Sequence, residues 1–369
     1  MPTMIPELLT KQPVKTAERV DPLCSVFGVC GGCAYQDIPY ADELLTKQAL
    51  VRELLQQALG LESCLFQVMV ESPQPYSYRH RLDLTFRKTR EGEFLMGFMP
   101  ENRKKVLEIS ACPIAMKPVS DYLPVLKKEA VARLPPNYQT ANLVVRTGDD
   151  GRVCWGGIGR HSLRMEEADY LWTEIEGTRI HFSLETFFQA NLSILPALIK
   201  TVRERLALTS DTVFLDLYSG VGLFGLCLAA DAERIVMMED YPASVKLARY
   251  NAAKLGVESK IEFCEARVED ALPGLLEKYR GKKIRAMIDP PRQGLKPEAL
   301  ETLKVCASSG VLEKLLYLSC YPPALVRDLK ELCAAGWQVR SVTPLDFFPR
   351  TKHLETLVEL VPGGKGLSV

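Results

Sequence analysis

Apolar residues in "DELLTKQALVRELLQQALG" recur at helical spacing, with Leu44, Leu50, Val51, Leu54, Leu55 and Ala58 along one stripe. The spacing predicts an amphipathic helix, and Gly60 supplies its stop. From Phe66 to about Glu185 the texture changes to short runs broken by turns. "LFQVMVES", "YRHRLDLTFRK", "EFLMGFMP" and "NLVVRTGDDGRVCWGGIG" read as strands, and "TGDDGR" predicts a hairpin turn. From about Ser183 onward, fully apolar strands alternate with helical segments, which predicts a doubly wound parallel sheet. Its strands are "TVFLDLYSG", "RIVMMED", "KIEFCEA", "IRAMIDPP" and "KLLYLSCYPP". Two last strands, in "WQVRSVTPLDFFP" and "HLETLVELV", are close enough in sequence to form a terminal antiparallel hairpin.

Composition narrows the class. At 369 residues, two domains are expected. Hydrophobic residues make up 47% and charged ones 25%, the balance of a globular protein. No apolar run approaches the roughly 20 residues of a membrane helix, and the N-terminus lacks a signal-peptide core. A cytoplasmic location without membrane contact is therefore expected. Residues 1–20 read as a flexible tail. The net charge is zero, so any nucleic-acid contact must come from local patches. Eleven cysteines in a reducing compartment point to metal or catalysis where they cluster. Cys24, Cys30 and Cys33 cluster in "LCSVFGVCGGCAYQDI", with Gly31 and Gly32 between the last two.

Candidate chemistry gathers in the second half. "FLDLYSGVGLFGLCLA" is a strand, a glycine loop and a helix, with Gly220, Gly222 and Gly225 in G-x-G-x-x-G spacing. Glu239 ends the next strand, placed to accept hydrogen bonds from ribose hydroxyls. NAD binding would satisfy the same pattern. "MIDPPRQGL" breaks the tie. Asp289 stands at the carboxyl end of the fourth strand, and Pro290 and Pro291 lock a rigid extended turn there. Such a turn suits approach to a base taken out of its stack. Cys320 leaves the fifth strand at the same sheet edge, a position for a nucleophile, and His353 and Glu355 begin the last strand.

These stretches together resemble the RNA uracil-5-methyltransferases, which make 5-methyluridine in tRNA and ribosomal RNA. The resemblance runs from Cys24 to Val361 and rests on "DPPRQGL", "SCYPPALVRDL", "FFPRTKHLE", "FFQAN" at residues 187–191, and "CGGC". It implies an α/β chain: a Rossmann-like class I methyltransferase domain with a terminal hairpin at 183–369, after an α+β RNA-recognition domain with an iron–sulfur site at 21–182. It implies Cys320 as nucleophile and Glu355 as base. Gln189, Tyr218, Gly220, Gly222, Glu239 and Asp289 become the contacts to S-adenosylmethionine and the active site. The chemistry needs such groups: a thiolate added to uracil C6 makes C5 nucleophilic, and a base must then remove the C5 proton. What lowers the thiol pKa from about 8.5 is not legible in the sequence. Relatives usually read Ser-Cys-Asn-Pro where this chain has Tyr321. Many carry polar residues where Leu223 and Ala266 stand here.

The resemblance also supplies a fourth cysteine, Cys112, and with it a [4Fe-4S] cluster on Cys24, Cys30, Cys33 and Cys112. Structural zinc on the same thiolates is the competing reading. The cluster would tie the first helix to the middle domain. For RNA contact, "YSYRHRLDLTFRKTR" offers Arg79, His80, Arg81, Arg87, Lys88 and Arg90 interleaved with Tyr76, Tyr78 and Phe86, and "ENRKKV" adds Arg103, Lys104 and Lys105. The expected partner is structured RNA with a flipped uridine, bound by a monomer. A cysteine cluster without an N-terminal TRAM domain most resembles the shorter 23S rRNA enzymes, so rRNA is favoured over tRNA. A non-catalytic RNA-binding or redox-sensing protein on a degenerate methyltransferase fold is the alternative.

Overall fold

The computed structural model describes residues 18–100, 105–134, 138–157 and 165–363. Most of the expected tail lies outside them, as do Arg103 and Lys104. The amphipathic stripe forms helix α1 (Tyr40–Leu59), ended by Gly60 in the left-handed region at φ 66°.

Five antiparallel strands form the middle sheet: β1 (Arg81–Lys88), β2 (Phe94–Phe98), β3 (Leu107–Glu108), β4 (Thr140–Thr147) and β5 (Val153–Gly157), in the order β3-β2-β1-β4-β5. The "TGDDGR" turn joins β4 to β5, with Thr147 opposite Val153. Alternation along β1 turns Leu82, Leu84 and Phe86 inward. They meet Val119, Leu123 and Leu126 of helix α2 (Lys117–Arg133). Sequence pattern did not anticipate α2. Pro118 opens it, where a missing N–H is harmless, but Pro124 inside it disguises the segment as a loop. "LFQVMVES" forms only isolated bridges, Phe66 to Val342 and Val70 to Leu345, rather than a strand.

The hairpin β6 (Leu171–Ile175) and β7 (Thr178–Phe182) precedes helix α3 (Leu195–Leu206). Its Leu171, Ile175, Ile180 and Phe182 share one core with Leu198 and Val202 of α3. By packing it belongs with the C-terminal sheet, ahead of the expected boundary at residue 183.

That sheet contains β8 (Thr212–Leu217), β9 (Arg234–Glu239), β10 (Ile261–Glu265), β11 (Lys283–Ile288), β12 (Lys314–Ser319), β13 (Trp337–Leu345) and β14 (Glu355–Pro362), ordered β10-β9-β8-β11-β12-β14-β13. The first five in that order run parallel, and β14 is antiparallel to both β12 and β13. Helices α4 (Leu223–Cys227), α5 (Pro242–Leu255), α6 (Val268–Lys278), α7 (Pro297–Ser309) and α8 (Pro322–Ala334) connect the strands. Every residue of β8 is buried, because apolar layers cover both faces of the sheet. Helix α1 joins one of those layers through Val51, Leu54 and Leu55, beside Leu325 and Leu329 of α8. The first helix therefore packs on the C-terminal sheet rather than on the middle one. No helix among the described residues is long and apolar enough to cross a membrane.

Candidate active site

In a parallel sheet the carboxyl ends of the strands share one edge, and the antiparallel β14 brings its first residue to that edge. Ser319 pairs with Thr356, so continuing the register by one step sets Cys320 opposite Glu355. Asp289 follows β11, and its backbone N–H reaches back to Leu217 of β8 at 3.4 Å. The result is a cavity of about 840 Å³ lined by Gln189, Tyr218, Gly220, Glu239, Asp289, Cys320 and Glu355. Residues drawn from six separated stretches of sequence meet there. Gly222 does not line it. At φ +93° it caps α4, and a Cβ there would lie 2.3 Å from Met237 Cε, so its lack of a side chain serves packing.

The turn after β8 is held open by backbone conformation and acids. Tyr218 is left-handed at φ 63° and Gly220 at φ 54°. Glu239 accepts the Gly220 N–H at 2.9 Å through one oxygen and the Tyr241 N–H at 2.9 Å through the other. Burial nevertheless raises its pKa. Asp216, one residue before the end of β8, accepts the Gly225 N–H at 2.8 Å, while its other oxygen is buried without a partner. Burial pushes its carboxyl up to about 7, against the lowering effect of the Gly225 bond. Sequence reasoning missed Asp216. Its signal was a lone acid in an otherwise apolar strand.

Around Cys320, charge is crowded. Gln189 donates to Asp289 at 2.9 Å, and burial lifts Asp289 to about 7. Burial also raises Glu355 well above the usual carboxylate range, and the neighbouring Asp289 adds to it. One Glu355 oxygen, Oε2, is buried with no partner. The Cys320 thiol is pushed up to about 12 by burial, then by Glu355 and Asp289, and Arg292 opposes the rise. Arg292 also lowers Glu355, so it is the cation that the sequence left unnamed. His353 is driven down to about 4, first by burial and then by Arg292, which leaves its ring neutral. Burial raises Glu239, Asp289 and Glu355, whereas Lys296 holds Glu269 low against its own burial, and a cationic occupant would stabilise the ionised form of all four. These residues thus fit a sulfonium donor.

The four clustered cysteines meet as well. Cys24, Cys30, Cys33 and Cys112 line a single cavity of about 650 Å³, with Gly31 at φ 79° turning the loop. The Cys33 thiol is pushed up to about 12 by burial, and Cys112, Cys24 and Cys30 each add to the rise. Thiols that raise one another's pKa ionise together only around positive charge. No group of three or more Cys, His, Asp or Glu side chains converges on a single ion among the described residues.

Past Cys33, the Ala34 and Tyr35 N–H groups donate to the Arg350 carbonyl at 2.8 and 3.1 Å. The Arg350 N–H donates to Glu43 at 2.7 Å. Lys47, side chain 1% exposed, bridges Glu43 and Asp346, each at 2.7 Å. The cysteine loop is thereby fastened through α1 to the loop that delivers Glu355.

The expected RNA surface is partly corrected. Tyr78 and Phe86 are each 1% exposed and His80 is fully buried, so none can stack on a base. The Tyr78 hydroxyl donates to Pro349 O, and His80 Nδ1 lies 3.1 Å from Thr147 O. Along β1, strand alternation sends Arg81 and Arg87 to the face opposite Phe86, while Lys88 shares the side of Phe86. Arg79 lines the cysteine cavity. Arg81 pairs with Asp83 at 2.8 Å, and Lys88 lies 5.5 Å over the Phe94 ring. Arg87 is exposed on the outer face of β1.

Known proteins bear on this geometry. The chain is 23% identical to the Pyrococcus abyssi tRNA (uracil-54, C5)-methyltransferase crystallised with S-adenosyl-L-homocysteine, with a TM-score of 0.70 over 89% of this chain and 85% of that one. It is 28% identical to the 23S rRNA (uracil(1939)-C(5))-methyltransferase RlmD of Klebsiella pneumoniae, over 92% of this chain and 81% of the relative. It is 29% identical to an uncharacterised RNA methyltransferase of Thermosynechococcus vestitus, over 94% and 85% respectively. The tRNA (uracil-5-)-methyltransferase family model matches residues 165–361, which span the whole cavity-bearing sheet. With the match covering more than half of its length, the chain belongs to the tRNA (uracil-5-)-methyltransferase family, enzymes that methylate uracil C5 in RNA with S-adenosylmethionine.

Proposed function

We propose that this enzyme methylates a uridine of structured RNA, 23S rRNA before tRNA, through a covalent bond between Cys320 and uracil C6. The observation that carries the reading is that Cys320, Glu355 and Asp289 line one cavity, with Cys320 and Glu355 each one residue beyond the Ser319–Thr356 pair of β12 and β14. Bound S-adenosylmethionine supplies a methyl group on a positively charged sulfonium. Glu239 accepts hydrogen bonds from its ribose, with Tyr218 and Gly220 forming the wall of that subsite and Gln189 orienting Asp289. The Cys320 thiolate, favoured by Arg292, adds to C6 of a flipped uracil, and electron density moves onto C5. Once C5 has gained the methyl group, with the electron pair of the broken S–CH3 bond left on the donor sulfur as a neutral thioether, Glu355 takes the C5 proton through its unpartnered Oε2. The electron pair of that C–H bond re-forms the C5–C6 double bond and expels the thiolate. A raised carboxyl pKa makes Glu355 a stronger base for this step.

The cavity of Cys24, Cys30, Cys33 and Cys112 holds a [4Fe-4S] cluster in this reading, with a structural role, since methyl transfer moves no electrons. Arg81, Arg87 and Lys88 on the middle sheet contact RNA phosphates. The enzyme acts as a cytoplasmic monomer on a uridine extruded from its fold. The preference for 23S rRNA rests on similarity to RlmD and on the cysteine cluster. In RNA from a strain lacking this protein, one 23S rRNA position will lose 5-methyluridine while tRNA keeps its own. Loss confined to tRNA would reverse that preference.

A further inference from the structure

We propose that Tyr321, Arg292 and Arg327 form a stacking platform for the nucleotide next to the methylated uridine. The proposal rests on the reading that the main cavity takes a uridine. A second cavity of about 550 Å³ adjoins it, lined by Arg292, Gln293, Tyr321, Pro323, Ala324 and Arg327. Arg292, Gln293 and Arg327 line both cavities, so the two are continuous.

The chain geometry aims the ring outward. Tyr321 is extended at φ −136° and ψ 97°, directly after Cys320, and successive side chains of extended backbone point to opposite sides. With Cys320 turned into the main cavity, Tyr321 faces out. The Ser319 hydroxyl accepts the Tyr321 N–H at 3.3 Å, which restrains the backbone. Tyr321 is 36% exposed as a residue, and the Arg292 Cζ lies 5.5 Å from its ring centroid. Arg327 is held by the carbonyls of Gln293 at 2.8 Å and Leu295 at 3.2 Å and pairs with the buried Asp328 carboxylate at 2.7 Å, yet its side chain stays 54% exposed.

Charge separates the two cavities. The main one carries Glu239, Glu269, Asp289 and Glu355, whereas no acid lines the second. A base inserted in the first brings its neighbour's phosphate and base to the rim. Guanidinium groups receive phosphates, and an aromatic face receives an unstacked base of any sequence.

The test measures binding of a short fluorescent single-stranded RNA with one central uridine, against the same RNA with abasic residues on both sides. Wild type will bind the base-flanked RNA about tenfold more tightly, as expected for one aromatic stack. Tyr321→Ala and Tyr321→Asn will bind both RNAs alike at the weaker level, and Tyr321→Phe will restore the preference. Equal flank preference in wild type and Tyr321→Ala, or no preference in wild type, would overturn the platform. Exchanging the central uridine for cytidine separates the two readings. If the platform alone is wrong, wild type still discriminates against cytidine. If the cavity does not take uridine, that discrimination is absent and both readings fall.

Discussion

Glu355→Gln, mixed with RNA and S-adenosylmethionine, will accumulate a protein–RNA adduct that survives denaturing electrophoresis. The amide cannot accept the C5 proton, so elimination stops after methyl transfer and the methylated uracil stays on sulfur. Turnover will fall by about 10²–10⁴, the range for a lost general base. The structure makes the substitution clean. Glu355 Oε2 has no hydrogen-bond partner, so an amide of the same shape leaves the fold intact. Cys320→Ala will form no adduct and no product while still binding both ligands. The double variant will match Cys320→Ala, because without the thiol nothing is trapped. Adduct formation by Cys320→Ala, or normal turnover by Glu355→Gln, would exclude this assignment of roles.

The second large effect concerns iron. Protein purified without oxygen will be brown, absorb broadly near 400 nm and carry roughly four irons per chain. Cys112→Ala will lose the iron and much of the folded protein, because Cys112 brings the middle domain to the loop of Cys24, Cys30 and Cys33. Cys64→Ala will change little, since Cys64 is exposed and distant in role, touching only Glu62 at 3.5 Å among its polar neighbours. Colourless protein with one zinc per chain would replace the cluster with the zinc reading.

Most of the cavity edge was legible because short motifs sit at strand ends, where chain direction alone decides which edge they share. Asp289, Cys320 and Glu355 needed only the strand order and the antiparallel last strand. Other features depend on contacts between remote segments. Nothing local in Arg350 announces that its carbonyl accepts Ala34 and Tyr35, or that Lys47 joins α1 to Asp346. Helix α2 was hidden by Pro124, and the β6–β7 hairpin by its packing against later elements. Tyr78, His80 and Phe86 dropped out of the expected RNA surface for a simpler reason, their burial. Spacing of two along β1 separates Arg81 and Arg87 from Phe86, so adjacency in sequence is opposition in space. Arg292 was printed within the "DPPRQGL" motif, yet its influence on Cys320, Glu355 and His353 emerged only from the assembled site.

The central claim is that this site methylates C5 of uracil in RNA by way of a C6 adduct. RNA labelled with tritium at uridine C5 tests it most directly. The account predicts one tritium released to water for each methyl group gained, and neither event with Cys320→Ala. Methyl groups gained without release of tritium would place the chemistry on another atom and contradict the account.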